Sequence, residues 1–292
     1  MTLFKGAGVA IVTPFKNKAV DFDSLGRLIQ WQIAENIDAI IICGTTGEAS
    51  TLNDKEHIEV VQYTVEKVNG RVPVIAGSGS NDTEHAVSMG IQLKNVGVDG
   101  LLVVTPYYNK CTQKGLISHY TTLADSIDIP MILYSVQGRT GVNISPSTVF
   151  ELSKHPNIVG IKEASGNMGQ VVEIAKCVSS QFALYSGNDD MIVPLLSVGG
   201  TGAISTVANV APRDTHSMVA DYLQGNVTSA SKKQLAMKSL IDAMFIEVNP
   251  IPVKAALSLM NKLHLEYRLP LCPPDDKSME VIKKEMEAYH LI

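Results

Sequence analysis

Apolar and polar positions alternate along this chain at two periods. Short runs rich in Val and Ile are each followed by a longer stretch with helical spacing. The apolar runs at 9–14, 39–44, 72–77, 100–106, 131–136, 158–164, 183–187 and 202–207 predict strands. The intervening stretches at 23–36, 53–68, 83–96, 113–126, 146–154, 170–178 and 212–223 predict helices. Asn53 and Asp82 stand where N-caps belong, and Pro146 and Pro212 suit first-turn positions. The stretch at 190–198 is short and contains Pro194, so it predicts only a brief helix. Beyond about residue 226 the strand signal stops, and 229–245, 252–262 and 277–289 read as helices alone.

Consecutive β-then-α units with short connections predict a closed (β/α)8 TIM barrel over residues 1–225, with a C-terminal helical region over 226–292. A doubly wound open sheet is the alternative. It would place a glycine-rich fingerprint after the first strand, where this chain has Thr13-Pro14-Phe15.

Composition narrows the function classes. With 45% hydrophobic residues over 292 positions the chain can bury a large core, and its net charge of -5 shows no basic stripe for nucleic acid or an anionic membrane. No stretch approaches the length of a membrane span. The segment from Met1 to Gly6 lacks a basic region followed by a long apolar one, so no secretory leader is expected. Cys43, Cys111, Cys177 and Cys272 are far apart and suit reduced thiols in the cytoplasm. The seven histidines are scattered, and no metal or other cofactor is expected.

Catalytic groups in such barrels sit where strands end and βα loops begin. The polar residues there include Thr45, Thr46 and Glu48 after the second strand, and Tyr107 and Tyr108 after the fourth. Tyr134 and Arg139 follow on the fifth, Lys162 and Glu163 end the sixth, and Ser186, Gly187 and Asn188 close the seventh. Lys162 is the most telling. It ends an apolar run buried on both faces, so it must be paired or its pKa must fall. A partly neutral amine can attack a carbonyl and form a Schiff base. The competing reading is a structural ion pair with Glu163 or another carboxylate. Each other residue also has a plain reading: Gly44–Gly47 as a tight turn, Tyr134 as a core tyrosine, Tyr107-Tyr108 as rim packing, Arg139 as a surface charge. Gly199-Gly200 precede the eighth strand, at the wrong end of the barrel for a phosphate loop. Taken together the rim suits carbon–carbon chemistry through an imine, with hydroxyls moving protons and an arginine holding a carboxylate.

The motifs Gly44–Glu48 (GTTGE), Thr105–Asn109 (TPYYN), Arg139–Gly141 (RTG), Gly160–Ala164 (GIKEA), Ser186–Asp190 (SGNDD) and Asn249–Lys254 (NPIPVK) carry a resemblance across nearly the whole chain. It resembles the dihydrodipicolinate synthases, the lysine-pathway branch of the pyruvate-dependent class I aldolase family. The resemblance implies that pyruvate condenses with L-aspartate semialdehyde to give 4-hydroxy-tetrahydrodipicolinate, without a cofactor. It implies that Lys162 forms the imine and Tyr134 is the general acid/base. Thr46 and Tyr108 then complete the proton relay, Tyr108 reaching in from a neighbouring subunit of a homodimer or homotetramer. By the same resemblance Thr45 and Thr46 hold the pyruvate carboxylate, Arg139 binds the aldehyde's carboxylate, and Gly187 and the Ile204 carbonyl line the pocket.

Two departures stand out. The family reads Y-N-V-P-x-R-T where this chain has Tyr134-Ser135-Val136-Gln137-Gly138-Arg139-Thr140. The histidine and glutamate of lysine-inhibited members are here Asp54 and His85, so weak or absent inhibition by lysine is expected. Three other functions compete: a lyase for a sialic acid or keto-deoxy sugar acid, which typically lacks the arginine after the fifth strand; a 2-oxo-acid sensor without turnover; and a metal-dependent aldolase.

Overall fold

The computed structural model describes residues 2–292. Eight parallel strands close on themselves: β1 (Gly6–Ala10), β2 (Ala39–Ile42), β3 (Val74–Gly77), β4 (Gly100–Val104), β5 (Met131–Ser135), β6 (Ile158–Glu163), β7 (Ala183–Ser186) and β8 (Gly202–Ser205). Each pairs with its neighbour in sequence, and β1 pairs with both β2 and β8, which removes any free edge. Strand β1 begins three residues earlier than its apolar run. The Gly-Ala-Gly stretch carries little bulk but is fully buried, so periodicity of large side chains missed it. Residues 15–20 form a small antiparallel hairpin, also unforeseen.

Helices α1 (Phe22–Ala34), α2 (Asp54–Val68), α3 (Thr83–Val96), α4 (Gln113–Ile127), α5 (Pro146–Leu152), α6 (Met168–Ala175), α7 (Ile192–Leu196) and α8 (Pro212–Leu223) cover the outside. Their starts follow side-chain chemistry. Asn53 and Glu56 form a reciprocal capping box on α2, Asp82 caps α3, and Pro146 and Pro212 occupy first-turn positions. Helix α7 is only five residues long. The C-terminal region contributes α9 (Val227–Ala236), α10 (Lys238–Met244), α11 (Ile251–Leu259) and α12 (Asp276–Ala288). The helix expected over 229–245 is divided at Met237, although Ile241 still donates to the Met237 carbonyl across the break.

Side chains alternate across each strand. The outward set packs against the helices as the larger core, and the inward set fills the barrel with Ile41, Ile75, Leu102, Ile132, Tyr185 and Ile204. Each such aliphatic side chain, fully buried, favours the folded state by roughly 1.5–3 kcal/mol. Phe4, just before β1, stacks on Tyr185 with ring centroids 4.5 Å apart, and the Tyr185 hydroxyl donates to the Phe4 carbonyl at 2.7 Å. This plug closes the N-terminal end, so the interior opens only at the C-terminal ends of the strands.

Candidate active site

At that open end lies a cleft of about 520 Å³, lined among others by Thr45, Ser78, Tyr107, Tyr134, Arg139 and Asn249. Strand register sets one lining residue, Tyr134, beside a buried lysine that is not itself part of the lining. Tyr134 on β5 lies opposite Lys162 on β6, both pointing inward. The Lys162 ammonium sits 4.4 Å from the Tyr134 ring centroid, and the side chain is 5% exposed. Gly187 packs directly on it: a Cβ at that position would come within 3.0 Å of Lys162 Cε and 2.7 Å of the Ala164 Cβ. Glycine at the end of β7 therefore makes room for the lysine.

The ion pair with Glu163 is not formed. Alternation turns Glu163 to the outer face, where it accepts from the Ser165 N–H at 2.8 Å and from Gln170 Nε2 at 3.2 and 3.3 Å. Burial pushes its carboxyl up, against these hydrogen bonds. Ser135, opposite Glu163 in the register, donates to Asn143 Oδ1, and Asn143 exchanges hydrogen bonds with Gln170. A polar layer of Ser135, Asn143, Gln170 and Glu163 thus backs the two strands that carry Tyr134 and Lys162.

Asp189, after β7, brings a carboxylate within electrostatic reach of Lys162. It is 2% exposed and accepts from the Thr206 and Val207 N–H groups at 3.0 and 2.8 Å. Burial raises its pKa, opposed by Ser205, by these N–H groups and by the Lys162 charge. It ties the ends of β7 and β8 together.

The two threonines separate. Thr45 lies on the cleft wall. Thr46 is 2% exposed and lies within the wall, its hydroxyl 3.4 Å from that of Thr206 and accepting from Asn249 Nδ2 at 2.9 Å. Arg139 lies on a single helical turn, Gln137–Thr140, which the hydrophobic pattern does not foretell. The turn forms without the family's proline because the Arg139 and Thr140 N–H groups both reach the Val136 carbonyl. Arg139 donates to the Asn249 carbonyl at 3.0 Å. Ile204 is buried inside the barrel, opposite Gly8 in the register. Tyr108 is the outlier. It holds a φ of 70° and its side chain is 92% exposed, so it leaves its own cleft while Tyr107 lines it.

A second buried lysine was not foreseen. Lys254, on α11, is fully buried and paired with Glu48 of the β2 loop, and its ammonium lies 4.4 Å from the Phe15 ring centroid and 5.0 Å from that of Tyr267. Burial lowers its pKa and the Glu48 charge opposes this. The only signal in the sequence was that Glu48 and Lys254 stand in two of the family motifs, far apart along the chain. The C-terminal region is therefore part of the cleft wall, through Val248, Asn249, Pro250, Pro270 and Leu271. At the other end of the cleft His85 Nε2 meets Asp54 Oδ1 at 3.2 Å. Among the described residues no cluster of His, Cys, Asp or Glu could hold a metal, and no helix is long and apolar enough to cross a membrane.

A closed (β/α)8 barrel with a cleft at the C-terminal ends of its strands, and a buried lysine without an ion pair beside a tyrosine, has the frame of a lyase. The chain belongs to the dihydrodipicolinate synthetase family, whose model matches residues 3–289. It is 56% identical to the 4-hydroxy-tetrahydrodipicolinate synthase of Acetivibrio thermocellus over 99% of both chains. It superposes on the solved structure of a monomeric dihydrodipicolinate synthase variant with a TM-score of 0.98, at 42% identity over 99% of this chain and 98% of the other. It also superposes on the chloride-inhibited dihydrodipicolinate synthase of Acinetobacter baumannii, solved with pyruvate, with a TM-score of 0.97, at 39% identity over 99% of both.

Proposed function

We propose that this protein condenses pyruvate with L-aspartate semialdehyde to give 4-hydroxy-tetrahydrodipicolinate, the first committed step toward diaminopimelate and lysine. The observation that carries this reading is Lys162, buried, without a carboxylate partner, and stacked against Tyr134 at the mouth of the barrel. The uncharged Lys162 amine attacks the pyruvate ketone, and loss of water gives the imine. The protonated imine nitrogen is the electron sink when a methyl proton leaves, and the resulting enamine attacks the aldehyde carbon. The substrate's own amine then closes the ring on the imine carbon and releases Lys162. Tyr134 moves protons at the lysine nitrogen and the new hydroxyl. Thr46 and Tyr108 extend this relay, and Thr45 and Thr46 hold the pyruvate carboxylate. Gly187 and the Ile204 carbonyl complete the pyruvate pocket. No cofactor takes part, and the four free thiols fit a cytoplasmic setting.

Arg139 is the aldehyde's carboxylate anchor in this reading. Arg139→Ala is expected to lower kcat/KM for aspartate semialdehyde by about tenfold or more, the size of one charge-assisted contact, with pyruvate imine formation little changed. Steady-state kinetics with each substrate varied in turn checks this. Equal losses for both would make Arg139 a structural residue, and turnover of a sugar-acid aldehyde in preference to aspartate semialdehyde would replace the substrate assignment.

The working unit is a homodimer or a homotetramer built from it. Tyr108 makes almost no contact with its own chain, as expected of a ring that serves a neighbour's cleft across a two-fold interface. Tyr108→Phe and Lys162→Ala proteins are each expected to be impaired. Mixed with confirmed subunit exchange, they are expected to regain activity, because one site of the hybrid holds both Lys162 and Tyr108. No regain despite exchange would place the relay hydroxyl within one chain, where Tyr107 lines the cleft.

A further inference from the structure

Asn249 stands between the two substrate subsites of the proposed reaction. Its side chain is 6% exposed, on the cleft wall just ahead of α11. Two different atoms reach two different groups. Its Nδ2 donates to the Thr46 hydroxyl at 2.9 Å, and its backbone carbonyl accepts from Arg139 at 3.0 Å. Its Oδ1 has no partner among the described residues.

We propose that Asn249 is a positioning residue for pyruvate: its side-chain amide occupies the Thr46 oxygen as an acceptor, so that the Thr46 hydroxyl hydrogen remains free for the pyruvate carboxylate. A hydroxyl has one hydrogen to donate and lone pairs that accept. A carboxylate can only accept, so Thr46 is useful to pyruvate only as a donor. An amide N–H donating to Thr46 leaves that hydrogen available. The Thr206 oxygen, 3.4 Å away, is the weaker competitor for it. The backbone carbonyl of the same residue holds Arg139, so one residue of the C-terminal region spaces the two carboxylate-binding groups. Only the Thr46 contact depends on the side chain.

This inference rests on the pyruvate reading of the site, and the experiment separates the two. Asn249→Ala removes the amide and keeps the backbone carbonyl. Asn249→Asp keeps the shape but substitutes acceptors, which capture the Thr46 hydrogen and bring a negative charge toward the pyruvate carboxylate. The expected result is a rise in KM for pyruvate of about threefold to tenfold in Asn249→Ala and well over tenfold in Asn249→Asp. KM for the aldehyde is expected to stay within about twofold in Asn249→Ala. In a Thr46→Val background, which has no hydroxyl to orient, Asn249→Ala is expected to have little further effect. Unchanged KM for pyruvate in Asn249→Asp would mean that the amide accepts from Thr46, and would overturn the proposal. So would equal rises in both KM values with a lowered Tm, the pattern of a brace for the loop. Wild-type protein that forms no borohydride-trapped pyruvate adduct would instead remove the reading on which the proposal stands.

Discussion

Lys162→Ala is expected to lower kcat/KM by about 10³-fold or more while leaving the melting temperature close to that of the wild type. The two halves of this expectation come from one observation. Lys162 is buried with no ion pair and lies against the Tyr134 ring and Gly187. Its loss breaks no ion pair, and the one buried carboxylate within its electrostatic reach, Asp189, stays held by the Thr206 and Val207 N–H groups. Its amine is nevertheless the group that would form the imine. A variant that folds normally and keeps most of its activity would remove the Schiff-base account. A variant that unfolds would make Lys162 a structural residue.

The opposite outcome is expected of the other buried lysine. Glu48→Ala leaves the Lys254 ammonium fully buried among Phe15 and Tyr267 with no carboxylate, and breaking a buried pair this way costs about 3–5 kcal/mol. For a chain of this size the melting temperature should fall by roughly 10 °C. Replacing both partners, as in Glu48→Gln with Lys254→Met, should recover much of that loss, because the stranded charge rather than the missing attraction dominates the cost. Thermal denaturation of the two single variants and the double variant checks this. Additive losses would mean that the pair does not act as a unit. Glu48 also shapes the loop that carries Thr45 and Thr46, where its backbone sits at a φ of 54°. The Lys254 pair thereby anchors the loop that carries Thr45 and Thr46 to α11, and the double variant is expected to lose more activity than stability.

The barrel was legible because each βα unit shows both periods, two in the strand and 3.6 in the helix, and because Asn53, Asp82, Pro146 and Pro212 mark helix starts by local chemistry. Strand β1 was misplaced because small residues carry no hydrophobic signal even when buried. Lys162 stood out as a charge in an apolar run. Its freedom from Glu163 follows from alternation, but the pairing stayed open at the level of sequence because a run buried on both faces does not tell which face leads inward. The Gln137–Thr140 turn and the Asn249 contacts were not legible at all. The Asn249 contacts join residues 110 and 203 positions apart, which only closure of the barrel brings together, while the turn is held locally by N–H groups on the Val136 carbonyl and carries no hydrophobic signal. The same holds for the partition of Thr45 to the cleft and Thr46 to the wall, since neighbouring residues of one type carry no sign of which faces the ligand.

The most direct test of the account is to incubate the wild-type protein with pyruvate and borohydride, and then to measure intact mass and map the modified peptide. The imine chemistry predicts a single reduced pyruvate adduct per chain on Lys162, with Lys254 unmodified because it is fully buried, paired with Glu48 and enclosed by Phe15 and Tyr267. An adduct on Lys254 or on a surface lysine, or no adduct under conditions where the protein turns over, would contradict it.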